Sequence, residues 1–352
     1  MVKINSNFWK NKRVFITGHT GFKGSWASIV LHHVGAKIYG FSDSDNYEFF
    51  KKLKLKNKFN KSYLGNMLNK KKLEKAISDT KPNIIFHFAS QPIVKNSLSS
   101  SYDTVYNNFI SCLNLLEILK KINSKIFVVI VTTDKVYENI NKLKKKYSES
   151  DKLGGKDPYS ASKSCKEIIT KSYKDTFFID KKIKIVTVRC GNVLGGGDFS
   201  PFRILPDFFR SLKKNKPLKI RSPQATRPWL YVLDAINGYF MIVEKFYHKK
   251  LDIFSWNFGP HKDSITNVKT ITQKLSKLNN FKKVTYNKKN NNLEAKYLQL
   301  NSELSKKKLA WSPLKKIDDI LIISSNWYKI FFSKKINELN TFNLKLIKEY
   351  LD

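Results

Sequence analysis

The chain has 352 residues, 41% of them hydrophobic, which is enough to fill the core of one large domain or of two closely packed ones. Its 66 Lys and Arg residues against 28 Asp and Glu residues give a formal net charge of +38. The lysines are scattered among asparagines, as in 51–61 and 286–297, without Gly-Arg repeats or an ordered basic stripe. We therefore interpret the charge as exposed surface that also attracts an anionic substrate, and we expect no nucleic-acid partner.

The cysteine content and the apolar runs indicate in which cellular compartment the protein is expected. Cys112, Cys165 and Cys190 are far apart and odd in number, which argues against a disulfide framework or a metal site. No apolar run reaches about 18 residues, and the first twelve residues lack an apolar signal core. We expect a cytoplasmic protein that binds neither a membrane nor a metal.

Apolar runs of strand length alternate with amphipathic stretches through the first half of the chain. The amphipathic stretches 103–121 and 160–174 predict helices. The runs that predict strands are 13–17, 37–41, 83–89, 125–132 and 183–189. Because parallel strands need crossover helices, this alternation predicts an α/β fold built on a doubly wound parallel Rossmann sheet.

The character of the sequence changes after Arg189, where loops with Gly and Pro begin. We predict a first domain at 1–189, which would bind a dinucleotide, and a smaller C-terminal α/β domain at 190–352, which would bind the substrate. The segment 229–258 begins as a strand that leads into a helix, and we expect it to return to the first domain. A helical tail is predicted from about residue 315.

Three glycines directly follow the first predicted strand. In this context Gly18 permits a tight turn, Gly21 lets the backbone approach a pyrophosphate, and Gly24 allows the following helix to pack closely. The segment is no Walker loop, because Gly24 is followed by Ser25 and Trp26. On this motif alone, the alternative of a glycine turn that binds no ligand stays open. Ser42 or Asp43 could reach an adenosine ribose, and the absence of a nearby arginine favours NAD over NADP.

Two further segments carry side chains suited to chemistry. Tyr159 and Lys163 are four residues apart at the start of a predicted helix, so they share one face, and a lysine beside a phenol lowers its pKa. Thr132, Thr133, Asp134 and Lys135 follow a buried strand at the edge where open α/β sheets bind ligands. Each segment has a plainer alternative: the tyrosine and lysine are paired by chance in a lysine-rich chain, and the polar residues 132–135 only cap the exit from a strand.

In this order and spacing, the three segments resemble the extended short-chain dehydrogenase/reductase family, with its TGxxGxxG turn, its Ser or Thr after the fourth strand and its Tyr-x-x-x-Lys. The resemblance narrows to the CDP-glucose 4,6-dehydratases within that family and covers residues 8 to about 330. Segments similar to theirs include "TTDKVYEN", "GGKDPYSASK", "GNVLGGGDFSPFRILPD" and "IRSPQATRPWLYVLD".

The resemblance implies a redox-neutral lyase reaction with NAD as cofactor and CDP-glucose as substrate. Glucose is oxidised at carbon 4, water leaves across carbons 5 and 6, and hydride returns to carbon 6. The product, CDP-4-keto-6-deoxyglucose, serves the biosynthesis of deoxysugars for surface polysaccharide such as lipopolysaccharide O-antigen.

The same resemblance implies a role for each catalytic residue. Tyr159 removes the 4-hydroxyl proton, Lys163 holds the nicotinamide ribose and tunes Tyr159, and Thr133 hydrogen-bonds the same hydroxyl. Asp134 is the acid that helps water depart. Lys135 stands where dTDP-glucose dehydratases have a glutamate base, and it serves either as a base or as a stabiliser of the enolate.

It also implies the binding residues. The cofactor-binding set is Gly18, Gly21, Phe22, Lys23, Gly24, Ser42, Asp43, Asn66, Met67, Phe88, Ala89, Ser90, Asn108, Tyr159 and Lys163. The substrate-binding set is Gln91, Asn192, Arg203, Arg210, Arg221 and Arg227, because guanidinium groups suit a pyrophosphate. Asn66 replaces the family's usual aspartate, which puts the affinity for NAD in doubt.

A homodimer, or a tetramer built from it, is expected through the two helices at about 103–121 and 160–178. The apolar residues that suggest this are Phe109, Leu113, Leu116, Ile168, Ile169 and Tyr173.

Other functions remain open. Another nucleotide-sugar 4,6-dehydratase would share every feature, and a 4-epimerase would share Tyr159 and Lys163 but would need no elimination acid. A third alternative is a basic nucleic-acid-binding protein that keeps a silent NAD fold.

Overall fold

The computed structural model describes residues 3–142, 144–179, 182–287 and 297–352. The lysine- and asparagine-rich segment 286–297, predicted to be exposed, lies almost entirely outside these residues. In the part of the chain that the model describes, no helix is both long and apolar enough to cross a bilayer.

The central feature is a parallel sheet of seven strands in the order β10-β6-β5-β4-β1-β2-β3. Its strands are β1 Arg13–Thr17, β2 Lys37–Ser42, β3 Lys61–Leu64, β4 Ile84–His87, β5 Ile126–Val131, β6 Ile183–Cys190 and β10 Ser255–Phe258. All six residues of β5 are buried, as expected for a strand with helices on both faces. The predicted doubly wound sheet is confirmed.

Helices cover both faces of this sheet and build the C-terminal part of the chain. They are α1 Ser6–Trp9, α2 Phe22–His33, α3 Glu48–Lys52, α4 Lys70–Thr80, α5 Val94–Ser99, α6 Ser101–Lys120, α7 Pro158–Phe177, α8 Ile204–Lys213, α9 Val232–Phe246, α10 Val268–Leu278, α11 Glu303–Leu309, α12 Ile317–Phe332 and α13 Ile336–Lys348. The predicted helices at 103–121 and 160–174 correspond to α6 and α7. The predicted tail corresponds to α12 and α13.

Alternate side chains of β1 enter two separate cores. Val14 and Ile16 pack into the larger core, whereas Phe15 packs into the smaller core on the other face. This alternation follows from the period of two residues in a strand.

The chain beyond residue 190 forms two small sheets and then returns to the main one. A three-stranded sheet has the order β11-β9-β7, and a two-stranded sheet pairs β12 with β8. These strands are β7 Asn192–Leu194, β8 Leu218–Ile220, β9 Thr226–Tyr231, β11 Ile265–Asn267 and β12 Val284–Tyr286. Because β10 pairs in parallel with β6, the segment 229–258 returns as expected. The division into domains at residue 190 stays an interpretation.

Candidate active site

The turn between β1 and α2 is as tight as its glycines suggest. Gly18 has φ +69°, and a Cβ there would lie 2.7 Å from the backbone nitrogen of Ala89. A Cβ on Gly24 would lie 2.2 Å from the carbonyl oxygen of Gly18, so α2 packs directly on the turn. Gly21 begins the helix, and a Cβ there would meet only the Gly18 oxygen, at 3.5 Å. The backbone at the helix N-terminus is therefore open to a ligand.

The predicted adenosine-binding residues lie at the ends of β2 and β3. Ser42 is buried and accepts a weak hydrogen bond of 3.4 Å from the Thr20 nitrogen, whereas Asp43 is exposed. Asn66 is exposed and Met67 is buried. All four predicted residues line one large cavity.

The amide of Asn108, which was predicted to bind the cofactor, is fully hydrogen-bonded within the protein, and its role at the cofactor stays a prediction. Its Oδ1 accepts from Ser90 Oγ at 2.7 Å and from the Gln91 nitrogen at 2.8 Å. Its Nδ2 donates to the Gln91 oxygen at 3.2 Å and to Ser162 Oγ at 2.9 Å. Asn108 is buried beneath the cavity wall and holds the Ser90–Gln91 loop, while Phe88, Ala89, Ser90 and Gln91 themselves line the cavity.

Tyr159 enters the cavity from the first turn of α7. Asp157 caps this helix by accepting from the Ser160 nitrogen at 3.0 Å, and Pro158 occupies the first helical position. Burial raises the pKa of Tyr159 far above its ordinary value. Two influences act in the opposite direction and lower that pKa: the positive charge of Arg203 and a hydrogen bond with the Thr133 side chain.

Lys163 lies one turn further along α7 and bonds a residue of the loop after β4. Its Nζ donates to Ser90 Oγ at 2.5 Å and lies 5.7 Å from the centre of the Tyr159 ring. Burial lowers the pKa of Lys163 well below its ordinary value, and the charges of Lys166 and Lys23 lower it further. That Lys163 tunes the phenol stays a prediction, and the positive charge that most lowers the pKa of Tyr159 is that of Arg203.

The segment after β5 brings a carboxylate next to Thr133. Asp134 Oδ1 accepts from Thr133 Oγ1 at 3.0 Å and from Lys135 Nζ at 3.1 Å. The Asp134 side chain is fully buried, next to residues that line the cavity, and its role there stays a prediction. Its Oδ2 has no partner among the described atoms and would lie 3.3 Å from a Cβ on Gly191. Thr133, Lys135 and Gly191 line the cavity.

The predicted arginines divide into two groups. Arg203, Arg221 and Arg227 line the cavity, as does Asn192, whose buried Oδ1 has no partner among the described atoms. Arg210 does not line it. Its guanidinium donates to the carbonyl oxygens of Phe199 and Ser200 and pairs with Asp207, so it holds a loop instead.

Sequence reasoning missed Asp198, which lies 3.0 Å from a guanidinium nitrogen of Arg203 and is almost fully buried. The ion pair orients Arg203 towards the cavity. The one available signal was a carboxylate five residues before the arginine, directly after three glycines. Cys190 was missed as well; it lines the cavity, and Lys23 Nζ lies 3.3 Å from its Sγ.

These residues surround a cavity of about 1430 Å³. A pocket for one small ligand has a volume of roughly 300 to 1,000 Å³, so this cavity has room for a cofactor and a second ligand. Phe22, Lys23 and Gly24 line it at the N-terminus of α2, together with Thr20, whose buried hydroxyl has no partner among the described atoms. An open helix N-terminus with an unpaired hydroxyl fits the pyrophosphate of a dinucleotide.

The fold and the site define a dinucleotide-dependent enzyme of the Rossmann class. The family model described as "NAD dependent epimerase/dehydratase family" matches residues 14–255, and the chain belongs to this family. Its resemblance to the extended short-chain dehydrogenases/reductases, with NAD as their cofactor, is confirmed.

Individual relatives are similar over almost the whole chain. CDP-glucose 4,6-dehydratase of Salmonella typhimurium is 34% identical over 334 residues, which cover 93% of each protein. The solved dTDP-glucose 4,6-dehydratase of Bacillus anthracis in complex with NAD has a TM-score of 0.76 at 23% identity and covers 92% of this chain and 98% of its own. UDP-glucose 4-epimerase of Thermotoga maritima with UDP-glucose has a TM-score of 0.79 at 20% identity, with 91% and 99% covered. The two structures show the shared fold.

Proposed function

We propose that this chain catalyses the NAD-dependent dehydration of CDP-glucose to CDP-4-keto-6-deoxyglucose. The observation that carries the proposal is the buried Asp134 carboxylate, which is paired with Lys135 directly after Thr133 and whose Oδ2 has no partner among the described atoms. An epimerase needs no such acid, because it breaks no carbon–oxygen bond at carbon 6. The 34% identity to the CDP-glucose 4,6-dehydratase of Salmonella typhimurium supports the choice of nucleotide.

The first half of the reaction is a deprotonation at the 4-hydroxyl. Tyr159 takes this proton, with Thr133 donating to the same oxygen and Arg203 stabilising the phenolate. Lys163 would hold the nicotinamide ribose. When bound, NAD supplies the reversible hydride transfer that oxidises carbon 4 and reduces carbon 6.

The second half is the elimination of water. The ketone at carbon 4 acidifies the proton on carbon 5. Lys135 lines the cavity, and its Nζ lies 3.1 Å from Asp134 Oδ1, so one proton can pass from Lys135 to Asp134 within the pair. Neutral Lys135 then takes the proton from carbon 5, and Asp134 gives its proton to the departing 6-hydroxyl, so that water leaves and the pair returns to ammonium and carboxylate. We therefore favour the role of Lys135 as the base over a role as a stabiliser of the enolate.

The remaining cavity residues hold the two ligands in this proposal. The glycine turn with Phe22 and Lys23 binds the pyrophosphate of NAD; Ser42, Asp43, Asn66 and Met67 bind its adenosine; and Phe88, Ala89 and Ser90 border its nicotinamide half. Gln91, Asn192, Arg203, Arg221 and Arg227 bind the CDP-sugar.

We also propose a homodimer, or a tetramer built from it, through α6 and α7. Tyr102 and Tyr106 on α6 stack on each other and are exposed, and Ile168 on α7 is exposed as well. Leu116, which was predicted to support this interface, is fully buried in the core of its own subunit instead. The proposed setting is the cytoplasm, where the product would enter deoxysugar synthesis for surface polysaccharide such as O-antigen.

The test is to incubate the protein with CDP-glucose and NAD⁺ and then to measure the enone absorbance of the keto product in alkali. UDP-glucose and dTDP-glucose are run in parallel, with Tyr159→Phe as the inactive control. We expect the chromophore with CDP-glucose in clear preference to the other two. A preference for another nucleotide would reassign the substrate, and sugar epimerisation without any chromophore would overturn the proposal.

A further inference from the structure

The two halves of the proposed catalytic group come from different elements. Tyr159 and Lys163 belong to α7, whereas Thr133 and Lys135 belong to a segment that has just left the sheet. β5 ends at Val131, and its last backbone bond before this segment runs from the Thr132 nitrogen to the Val188 oxygen at 2.9 Å. The distance between the Tyr159 phenol and the Thr133 hydroxyl therefore depends on how this segment is fixed to α7.

Glu167 fixes the segment on its N-terminal side. It lies four residues after Lys163 and eight after Tyr159 on α7, so the three side chains share one face of the helix. Its carboxylate is fully buried, and Oε1 accepts from Thr132 Oγ1 at 2.5 Å. The residue directly before Thr133 is thus bound to the helix that carries the proposed base.

Ser164 fixes the segment on its C-terminal side. Its hydroxyl donates to the Val136 oxygen at 2.9 Å and lies 3.2 Å from the Ser160 oxygen. Ser164 is buried and is the neighbour of Lys163 on α7. One helix therefore holds both ends of the segment 133–135 and also carries Tyr159 and Lys163.

The Glu167 carboxylate is itself held rigidly. Arg189 Nε lies 2.8 and 3.0 Å from its two oxygens, and Thr187 Oγ1 donates to Oε2 at 3.0 Å. Arg189 in turn donates to Tyr137 OH at 2.7 Å. Both members of the ion pair are buried, and a fully bonded buried pair of this kind favours one geometry over others.

We propose that Glu167 and Ser164 are positioning residues: by bonding Thr132 and Val136, they set the place of Thr133, Asp134 and Lys135 relative to Tyr159. This inference rests on the proposed function for its effect on turnover, but not for its effect on the segment itself. Because misplacement of reacting groups by about 1 Å can cost on the order of 100-fold in rate, loss of either bond should lower kcat more than it raises KM.

The closing experiment uses the full-length protein and a matched pair of variants. Thr132→Val removes the hydroxyl that bonds Glu167 Oε1. Thr80→Val is the control, because its buried hydroxyl bonds the Ala76 oxygen at 2.8 Å within α4, away from the cavity lining. Thr132→Ser keeps a hydroxyl that can bond Glu167, and Ser164→Ala removes the hydroxyl that bonds the Val136 oxygen. The measurements are kcat, KM, the melting temperature and amide hydrogen exchange across residues 132–136.

We expect Thr132→Val and Ser164→Ala to lower kcat roughly 10- to 100-fold and to speed exchange in 132–136. Thr80→Val should lower the melting temperature by a similar amount but keep the kcat of the parent protein, and Thr132→Ser should behave like the parent. Equal losses of kcat in Thr132→Val and Thr80→Val, or unchanged exchange in both Thr132→Val and Ser164→Ala, would overturn the proposal. A parent protein that is inactive on CDP-glucose would contradict the proposed function, while the exchange data would still decide the positioning role.

Discussion

Nζ of Lys163 donates a 2.5 Å hydrogen bond to Oγ of Ser90, so the lysine of the Tyr-x-x-x-Lys pattern is tied to the loop after β4 instead of to the phenol. Burial is the largest influence on the pKa of Tyr159 and raises it. The positive charge of Arg203 lowers the same pKa. In the proposed function, Arg203 therefore acts on the base Tyr159 as well as on the nucleotide.

This relationship predicts how the pH profile responds to Arg203→Met. Removing a positive charge that lowers the pKa of Tyr159 must raise that pKa, so the rising limb of kcat against pH should move to higher pH. Arg221→Met is the matched control, because Arg221 lines the same cavity but stacks on Phe202 with its guanidinium 5.5 Å from the ring centre. We expect both variants to raise KM about tenfold or more and only Arg203→Met to move the limb.

Asp134→Asn separates the two halves of the proposed reaction. Oxidation at carbon 4 needs Tyr159, Lys163 and Thr133, whereas loss of water needs a proton from Asp134. Turnover should fall roughly 10²- to 10⁴-fold, as for the loss of a general acid. In single turnover with CDP-glucose, near-ultraviolet absorbance of reduced nicotinamide should build up in this variant and not in Tyr159→Phe. Full activity, or loss of that signal as complete as in Tyr159→Phe, would show that Asp134 is not the elimination acid.

Tightly held NAD is expected in the purified protein, because the hydride must be kept and returned within one turnover. The protein is denatured, and the supernatant is assayed for NAD. Gly24→Ala should lower the NAD content, since a Cβ there would lie 2.2 Å from the Gly18 oxygen and would push α2 away from the turn. No NAD in the supernatant, together with no stimulation by added NAD⁺, would contradict the cofactor assignment.

Glu244 should make the protein less stable as pH rises. Burial raises the pKa of Glu244 to about 7, although Trp9 Nε1 donates to its carboxylate at 2.5 Å and lowers that pKa. The folded state then binds a proton more tightly than the unfolded state, so stability is highest below pH of about 4.5 and is lost as pH rises to about 7. The loss is at most about 3 kcal/mol, because the side chain is only partly buried.

Denaturant unfolding between pH 4 and 8 tests this as a difference between the parent protein and Glu244→Gln. The difference is needed because burial lowers the pKa of His19 and His87, which makes stability rise with pH in the same range, whereas Asp234, whose pKa burial raises to about 6, acts with the same sign as Glu244. The parent should lose stability relative to Glu244→Gln as pH rises from about 4.5 to 7, and Glu303→Gln, at an exposed glutamate, should follow the parent. A difference between parent and Glu244→Gln that stays constant over this range would contradict the prediction.

The proposed dimer is tested with two isoleucines of similar exposure. Ile168 on α7 is 57% exposed, and Ile322 on α12 is 46% exposed. Introducing a charge at the first position should separate the subunits, because burying an unpaired charge in an interface is costly. In sedimentation at micromolar concentration, Ile168→Glu should be monomeric, while Ile322→Glu and the parent protein should be dimeric. A monomeric parent protein would contradict the interface.

Local sequence features correctly predicted the strands, the glycine turn and the helix that surround the site. The apolar runs marked β1, β2, β4, β5 and β6 to within two residues, because each run needs only its own period and its own breaks. The positive φ of Gly18 and the close contact of Gly24 follow from the spacing of three glycines behind a strand. Tyr159 and Lys163 lie in one cavity because four residues make about one helical turn.

The tertiary structure decided which polar side chains face that cavity. Arg203 lines it and Arg210 does not, although both are arginines near α8, because Asp198 holds the first while Asp207 and two backbone carbonyls hold the second. The amide of Asn108 is hydrogen-bonded to the Ser90–Gln91 loop, and Asp134 Oδ2 lies close to Gly191. The contacts of Asn108 and Asp134 join residues far apart in the chain, and such contacts leave no period or spacing in the sequence. The pairs of Arg203 with Asp198 and of Arg210 with Asp207 are local, but which arginine faces the cavity depends on the path of the loop before α8. The bond from Thr132 to Glu167, which joins residues 35 positions apart, is of the same kind.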